Sequence, residues 1–209
     1  MFDWSKTEAV IPAVVSIPER RDSLMQLITD LSIQCPGISA KVIPQWKVKP
    51  GSLPRTAFES IAKGLEGISC PWVFYLEEDI KLSSYFGKTV PSVLNNVDEK
   101  CGAVSFFSTG SFVTSMCKIS LPFNYSQCVA MKLKVAEAWR DMILDWWDHA
   151  PHAKRQGPDI CLGECCHSLD LDILVYTPSL VQHKDIPSAF GHTAHIKSGT
   201  FDCGPGLSQ

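Results

Sequence analysis

Residues 71 to 86 read PWVFYLEEDIKLSSYF, an apolar run that ends abruptly in three successive acids. The aromatic and branched residues from Trp72 to Leu76 suit a strand buried within an α/β sheet. Glu77, Glu78 and Asp79 then fall where that strand should leave the sheet. In open α/β sheets ligands bind just beyond the carboxyl ends of the strands, and adjacent hard oxygen donors there suit Mg²⁺ or Mn²⁺ carrying a phosphorylated substrate. The same three letters also suit a solvated acidic turn, so the rest of the chain has to decide between the two.

The flanking sequence alternates between strand and helix patterns. PAVVSIP, residues 12 to 18, is a short buried-strand signal that stops at Pro18, and ERRD leads into a helix beginning near Asp22. Leu24, Leu27, Ile28 and Leu31 give that helix one apolar face. Arg20 and Arg21 stand at its entrance, where a guanidinium suits a diphosphate or a nucleobase but is equally at home on a solvated surface. KVIPQWKV, residues 41 to 48, reads as a second strand, placed at a sheet edge by Pro44. Thr56 and Glu59 have capping-box spacing ahead of a helix with Phe58, Ile61, Ala62 and Leu65 inward. Arg55 precedes it, as a phosphate contact or a surface arginine.

After the acids, Ser83 or Ser84 can cap a helix through Phe86, Val90 and Leu94, and GAVSFF, residues 102 to 107, supplies another strand. Residues 108 to 123 are rich in serine and threonine and read as a long connection or hairpin over the crevice. Residues 128 to 133 read as a strand edge. Val135, Ala138, Trp139, Met142, Ile143 and Trp146 then give the strongest helical periodicity in the chain. Gln156, Gly157 and Pro158 form a loop, and Asp159 stands where it would cap a helix through Ile160, Leu162, Cys165 and Leu169. Residues 173 to 176 form a late strand, and Ser179 to His183 carry the chain back toward the crevice. There an imidazole can complete the coordination of a metal held by Asp79.

The 209 residues suit a single domain over 1–192, with a mobile tail over 193–209. A net charge of −3 gives no general electrostatic reason to bind nucleic acid. No apolar segment approaches the roughly 20 residues that span a bilayer, and the N-terminus lacks the pattern of a secretory signal, so a cytoplasmic location is expected. Nine scattered cysteines read as free thiols. Cys161, Cys165, Cys166 and His167 lie close together, but a structural zinc site usually joins two separate ligand pairs, and only one dense cluster is present.

AVVSIPERRDSL near the start, WVFYLEEDIKLSSYF in the middle, and TPSLVQH followed by PSAFGH near the end stand in one order across residues 12 to 192. In that ordered set the chain resembles the GT-A glycosyltransferases, which use nucleotide sugars. The resemblance implies an α/β, Rossmann-like mixed sheet flanked by helices. It also implies sugar transfer from a nucleotide diphosphate sugar, a UDP-sugar foremost, with Mn²⁺ or Mg²⁺ as cofactor. Glu77 and Asp79 take the two positions of the family's DxD motif, with Asp79 as the direct metal ligand and Glu78 between them on the donor side. His183 matches the late histidine that joins the metal or the diphosphate. Ser16, Ile17, Pro18 and Arg20 match the nucleotide-binding first turn. Asp159 matches the general base of inverting members. Two departures are visible: the motif opens with glutamate, and the chain is short, with little room for a separate acceptor domain. Compact members of this kind include bacteriophage enzymes that glycosylate hydroxymethylated DNA bases, and others act on glycans. The rival readings are a nucleotidyltransferase, and a non-catalytic module binding zinc or a nucleotide.

Overall fold

The computed structural model describes residues 1–45, 55–109, 115–119, 122–123, 126–149, 157–186 and 197–201. The turn KPGSLP, Gln156, PSAFGH and parts of the serine-rich stretch lie outside the described residues.

A 3-10 turn at Trp4–Lys6 leads into strand β1, Thr7–Ala13. β1 starts five residues before the PAVVSIP signal, because Pro12 does not break it. The ladder to the neighbouring strand β3, Trp72–Leu76, ends at the pair Val10↔Tyr75, so the missing N–H of Pro12 interrupts no bond on that side. Helix α1, Pro18–Gln34, likewise begins earlier than the apolar stripe suggests. Pro18 starts this helix rather than ending the strand: at the first helical position its fixed φ is favourable and its absent N–H has no partner to lose. Strand β2, Ser39–Pro44, pairs with β1 alone and is the sheet edge that Pro44 suggests.

Helix α2, Arg55–Leu65, returns the chain to β3. A three-residue strand β4, Ile80–Leu82, follows the acids, and helix α3, Phe86–Asn96, precedes strand β5, Cys101–Ser105. Strand β6, Ser115–Ile119, lies inside the stretch that reads as a long connection or hairpin, and it pairs with the later strand 172–177. Strand β7, Cys128–Lys132, is no edge: it sits in the middle of the sheet between β3 and β5 and is nearly all buried. Helices α4, Leu133–His149, and α5, Pro158–Ser168, are followed by strands β8, Asp172–Thr177, and β9, Val181–His183.

The main sheet has seven strands in the order β2-β1-β3-β7-β5-β8-β6. β7 and β6 run against the others, so the sheet is mixed, as expected. Period-2 alternation sends each strand's side chains to two faces. Val10, Val73, Tyr75, Val129 and Met131 meet α2, α4 and α5 on one. Ala9, Ile11, Phe74, Leu76 and Ala130 meet α1, α3 and Trp4 on the other. Two buried layers thus fix the sheet, and the carboxyl ends of β1, β2, β3, β5 and β8 lie along one edge. β4 and β9 form a separate two-stranded ribbon at that edge, pairing Ile80 with His183.

Part of the tail is docked rather than loose. Ser198 and Thr200 are buried; Thr200 Oγ1 accepts from the Ser179 amide at 3.1 Å, and the Ser198 carbonyl accepts from Gln182 Nε2 at 3.0 Å. No helix among the described residues is long and apolar enough to cross a membrane.

Candidate active site

β3 ends at Leu76, and the next three residues place their carboxylates differently. Glu77 is a quarter exposed and accepts from Ser126 Oγ at 3.2 Å, while its own amide donates to the Gln127 carbonyl at 3.1 Å. Glu78 turns inward beneath α1. Its Oε1 accepts from Arg20 Nε at 2.7 Å and from the Val14 amide at 3.2 Å, and its carbonyl accepts from Ser23 Oγ at 2.8 Å. Asp79 is 2% exposed; its Oδ2 lies 3.0 Å from Arg20 Nη2, and its carbonyl accepts from the Lys184 amide at 2.8 Å.

The β4–β9 ribbon brings His183 to the same point. Its Nε2 lies 3.6 Å from Glu77 Oε2 and its Nδ1 lies 3.6 Å from Asp79 Oδ1, with the Phe107 ring edge-on at 6.1 Å. Glu77, Asp79 and His183 each offer one ligand atom, all within 4.8 Å of one another. Two carboxylates and an imidazole around a common point suit a cation of the Mn²⁺ or Mg²⁺ kind. The solvated acidic turn does not describe this arrangement, because two of the three acids are buried.

The electrostatics record the crowding of like charges. Burial pushes the Glu77 carboxyl up to about 7; Asp79, Glu78 and Asp159 add to the rise and His183 opposes it. Burial raises Glu78 too, with Arg20 pulling the other way. Burial disfavours the charge on Arg20, but Glu78 and Asp79 outweigh it and hold the guanidinium above its ordinary value. Burial also pulls His183 down, yet Asp79 and Glu77 outweigh it and leave the imidazole above its usual value. A divalent ion would discharge this group by taking the place of its protons.

Asp159 sits in the first turn of α5, behind Gly157 at the N-cap, and accepts from the Ile160 amide at 3.1 Å. Burial lifts its carboxyl up to about 6, and its charge is felt at Glu77. Ser16 and Pro18 are exposed and Ile17 is half-buried, at the amino end of α1. Arg20, expected at a diphosphate, gives its guanidinium to Glu78 and Asp79 and is 5% exposed. A sequence signal for that burial exists: Arg20 stands one turn before Leu24, on the apolar stripe of α1. Arg55 lies on the outer surface of α2, paired with Glu59 and, at 3.1 Å, with Asp148 on α4. Glu59 therefore serves Arg55.

The cysteine cluster does not assemble. Cys161, Cys165 and Cys166 are buried against α4 and the sheet, whereas His167 is exposed. Among the described residues the group of His, Cys, Asp or Glu side chains that could hold a metal is Glu77, Asp79 and His183. Ser126 and Lys184, which orient Glu77 and Asp79, carry no sequence signal of their own.

No protein-family model and no curated protein matches the sequence. Among solved structures, a glycosyltransferase involved in the glycosylation of the major capsid of PBCV-1 aligns with a TM-score of 0.62 at 11% identity, over 88% of this chain and 94% of its own. The catalytic domain of Drosophila β1,4-galactosyltransferase 7, solved with xylobiose, aligns with a TM-score of 0.52 at 9% identity, over 86% of this chain and 71% of its own. At these identities the likeness is one of fold, and the chain has the GT-A glycosyltransferase fold.

Proposed function

We propose that this GT-A-fold chain is a metal-dependent glycosyltransferase that moves a sugar from a nucleotide diphosphate sugar, a UDP-sugar foremost, to an acceptor hydroxyl with inversion. The observation that carries the reading is the convergence of Glu77, Asp79 and His183 at the carboxyl edge of the sheet. Asp79 and His183 would hold the ion, with Glu77 as third ligand. Bound there, Mn²⁺ or Mg²⁺ supplies positive charge where a nucleoside diphosphate leaving group gathers negative charge.

The remaining roles belong to the chain's own groups. Ser16, Ile17 and Pro18 present the amino end of a 17-residue helix, whose dipole and N–H groups favour phosphate. Asp159 takes the proton of the acceptor hydroxyl, a task that suits a carboxyl with its pKa lifted to about 6. The two acceptor classes are a glycan hydroxyl and a hydroxymethylated DNA base.

The test is a panel of sugar nucleotides with Mn²⁺, followed by thermal stabilisation and by the leaving group. One donor should stabilise the protein and release its nucleoside diphosphate. Release of pyrophosphate instead would assign the site to nucleotidyl transfer, and no response to any donor would remove the proposal.

A further inference from the structure

We propose that Arg20 is a positioning residue of the metal centre: it occupies Asp79 Oδ2, turns Oδ1 toward Glu77 and His183, and so restricts Asp79 to one-point ligation. The inference rests on the metal reading of this site.

Arg20 Nη2 lies 3.0 Å from Asp79 Oδ2, while Asp79 Oδ1 lies 3.6 Å from His183 Nδ1. The two oxygens of one carboxylate therefore have separate assignments. The second arm of the fork, Nε, holds Glu78 at 2.7 Å, and Glu78 is itself tied to the end of β1 through the Val14 amide. A planar guanidinium bound at two points cannot swing without breaking both contacts, so Asp79 is fixed in rotation about its own side chain. All three side chains are at most 6% exposed, so water does not compete for these bonds.

One-point ligation has a consequence for ion choice. Mn²⁺ and Mg²⁺ favour compact octahedral sites, whereas Ca²⁺ takes more oxygens and accepts both oxygens of one carboxylate. A carboxylate held at Oδ2 disfavours the second mode. Charge acts in the opposite direction, because a guanidinium beside a cation repels it. A variant that only deletes Arg20 would mix the two effects, so the test keeps the cluster's charge constant.

Arg20→Lys keeps the charge but loses the fork. Arg20→Met combined with Glu78→Met removes one charge of each sign, so neither is left buried without the other; it still costs Asp79 Oδ2 its donor and the Val14 amide its acceptor, a loss the thermal midpoint reads. Mn²⁺ and Ca²⁺ affinities are measured directly, Mn²⁺ by electron paramagnetic resonance and Ca²⁺ by competition, with thermal midpoints taken without metal. Both variants should fold, bind Mn²⁺ about tenfold more weakly, and narrow the preference for Mn²⁺ over Ca²⁺ severalfold. Wild-type affinity with unchanged preference in either folded variant overturns the positioning role while leaving the metal site standing. Absence of saturable Mn²⁺ binding in the wild-type protein, or its persistence in Asp79→Asn, overturns the metal reading and the inference together.

Discussion

Asp79 divides its oxygens between a guanidinium and an imidazole, and in this reading everything the site does passes through it. Unit charges about 4 Å apart interact by roughly 4 kcal/mol at an effective dielectric of about 20, or about three powers of ten in rate. Asp79→Ala should therefore abolish saturable Mn²⁺ binding and lower sugar transfer by about a thousandfold, read by calorimetry and diphosphate release; retained turnover would place the chemistry elsewhere. Asp159 allows a test by pH. Its folded pKa is raised to about 6 from 3.8, so the fold favours the protonated form, whereas a general base acts only when ionised. Transfer should fall about tenfold per pH unit below about 6 and level off above it. Asp159→Asn should keep donor binding and lose transfer. A wild-type profile that is flat through that range would give the proton to another group. The meeting of Asp79 and His183 was legible because acids at a strand end and a late histidine are chemically conspicuous. Arg20 was legible only in part: its place on the apolar stripe of α1 signals burial, but a guanidinium reads the same whether it meets a phosphate or a carboxylate 58 residues away.

Two helix glycines, Gly64 and Gly87, mark close approaches in the packing. A Cβ on Gly64 of α2 would lie 2.3 Å from Val10 Cγ1 of β1, and one on Gly87 of α3 would lie 2.1 Å from the Gln34 carbonyl oxygen of α1. Alanine improves helix propensity by about 1 kcal/mol at an interior position, but overpacking costs about 1 to 3 kcal/mol, so packing wins at both sites. Gly64→Ala should lose about 1 kcal/mol in urea titration. Gly87→Ala should lose more, because a backbone carbonyl cannot rotate aside as a side chain can. Equal stability of the two variants would contradict this ordering. The elements easiest to read in sequence were those with long periodic patterns, such as α4, and the apolar run of β3, which matched residue for residue. Those missed were short or ambiguous. β4 and β9 have three residues each, too few for a period to show, and β6 lies in serine-rich sequence that earns its strand only by pairing with β8. β7 read as an edge because nothing in five residues reveals how many neighbours a strand will have.

Across the whole molecule, the segment 197–201 ties the far end of the chain to the ribbon that carries His183. Ser198 bonds Gln182 in both directions, at 2.9 and 3.0 Å, and Thr200 satisfies the buried Ser179 amide. Thr200→Val removes that acceptor and should cost about 1 to 3 kcal/mol in thermal or urea unfolding. Deleting residues 193–209 should weaken Mn²⁺ binding about tenfold, because the ribbon loses the contacts that hold its register; a truncated chain with wild-type affinity would show that the strap is dispensable. The pairing of Ile80 with His183 also sets an order of events. Asp79 and His183 stand more than a hundred positions apart in the sequence, so a chain still emerging from the ribosome, or clipped before β9, carries two carboxylates and no imidazole to complete them. On the metal reading, retention of a cation is then a certificate of completion, held by molecules whose middle and final strands have already met.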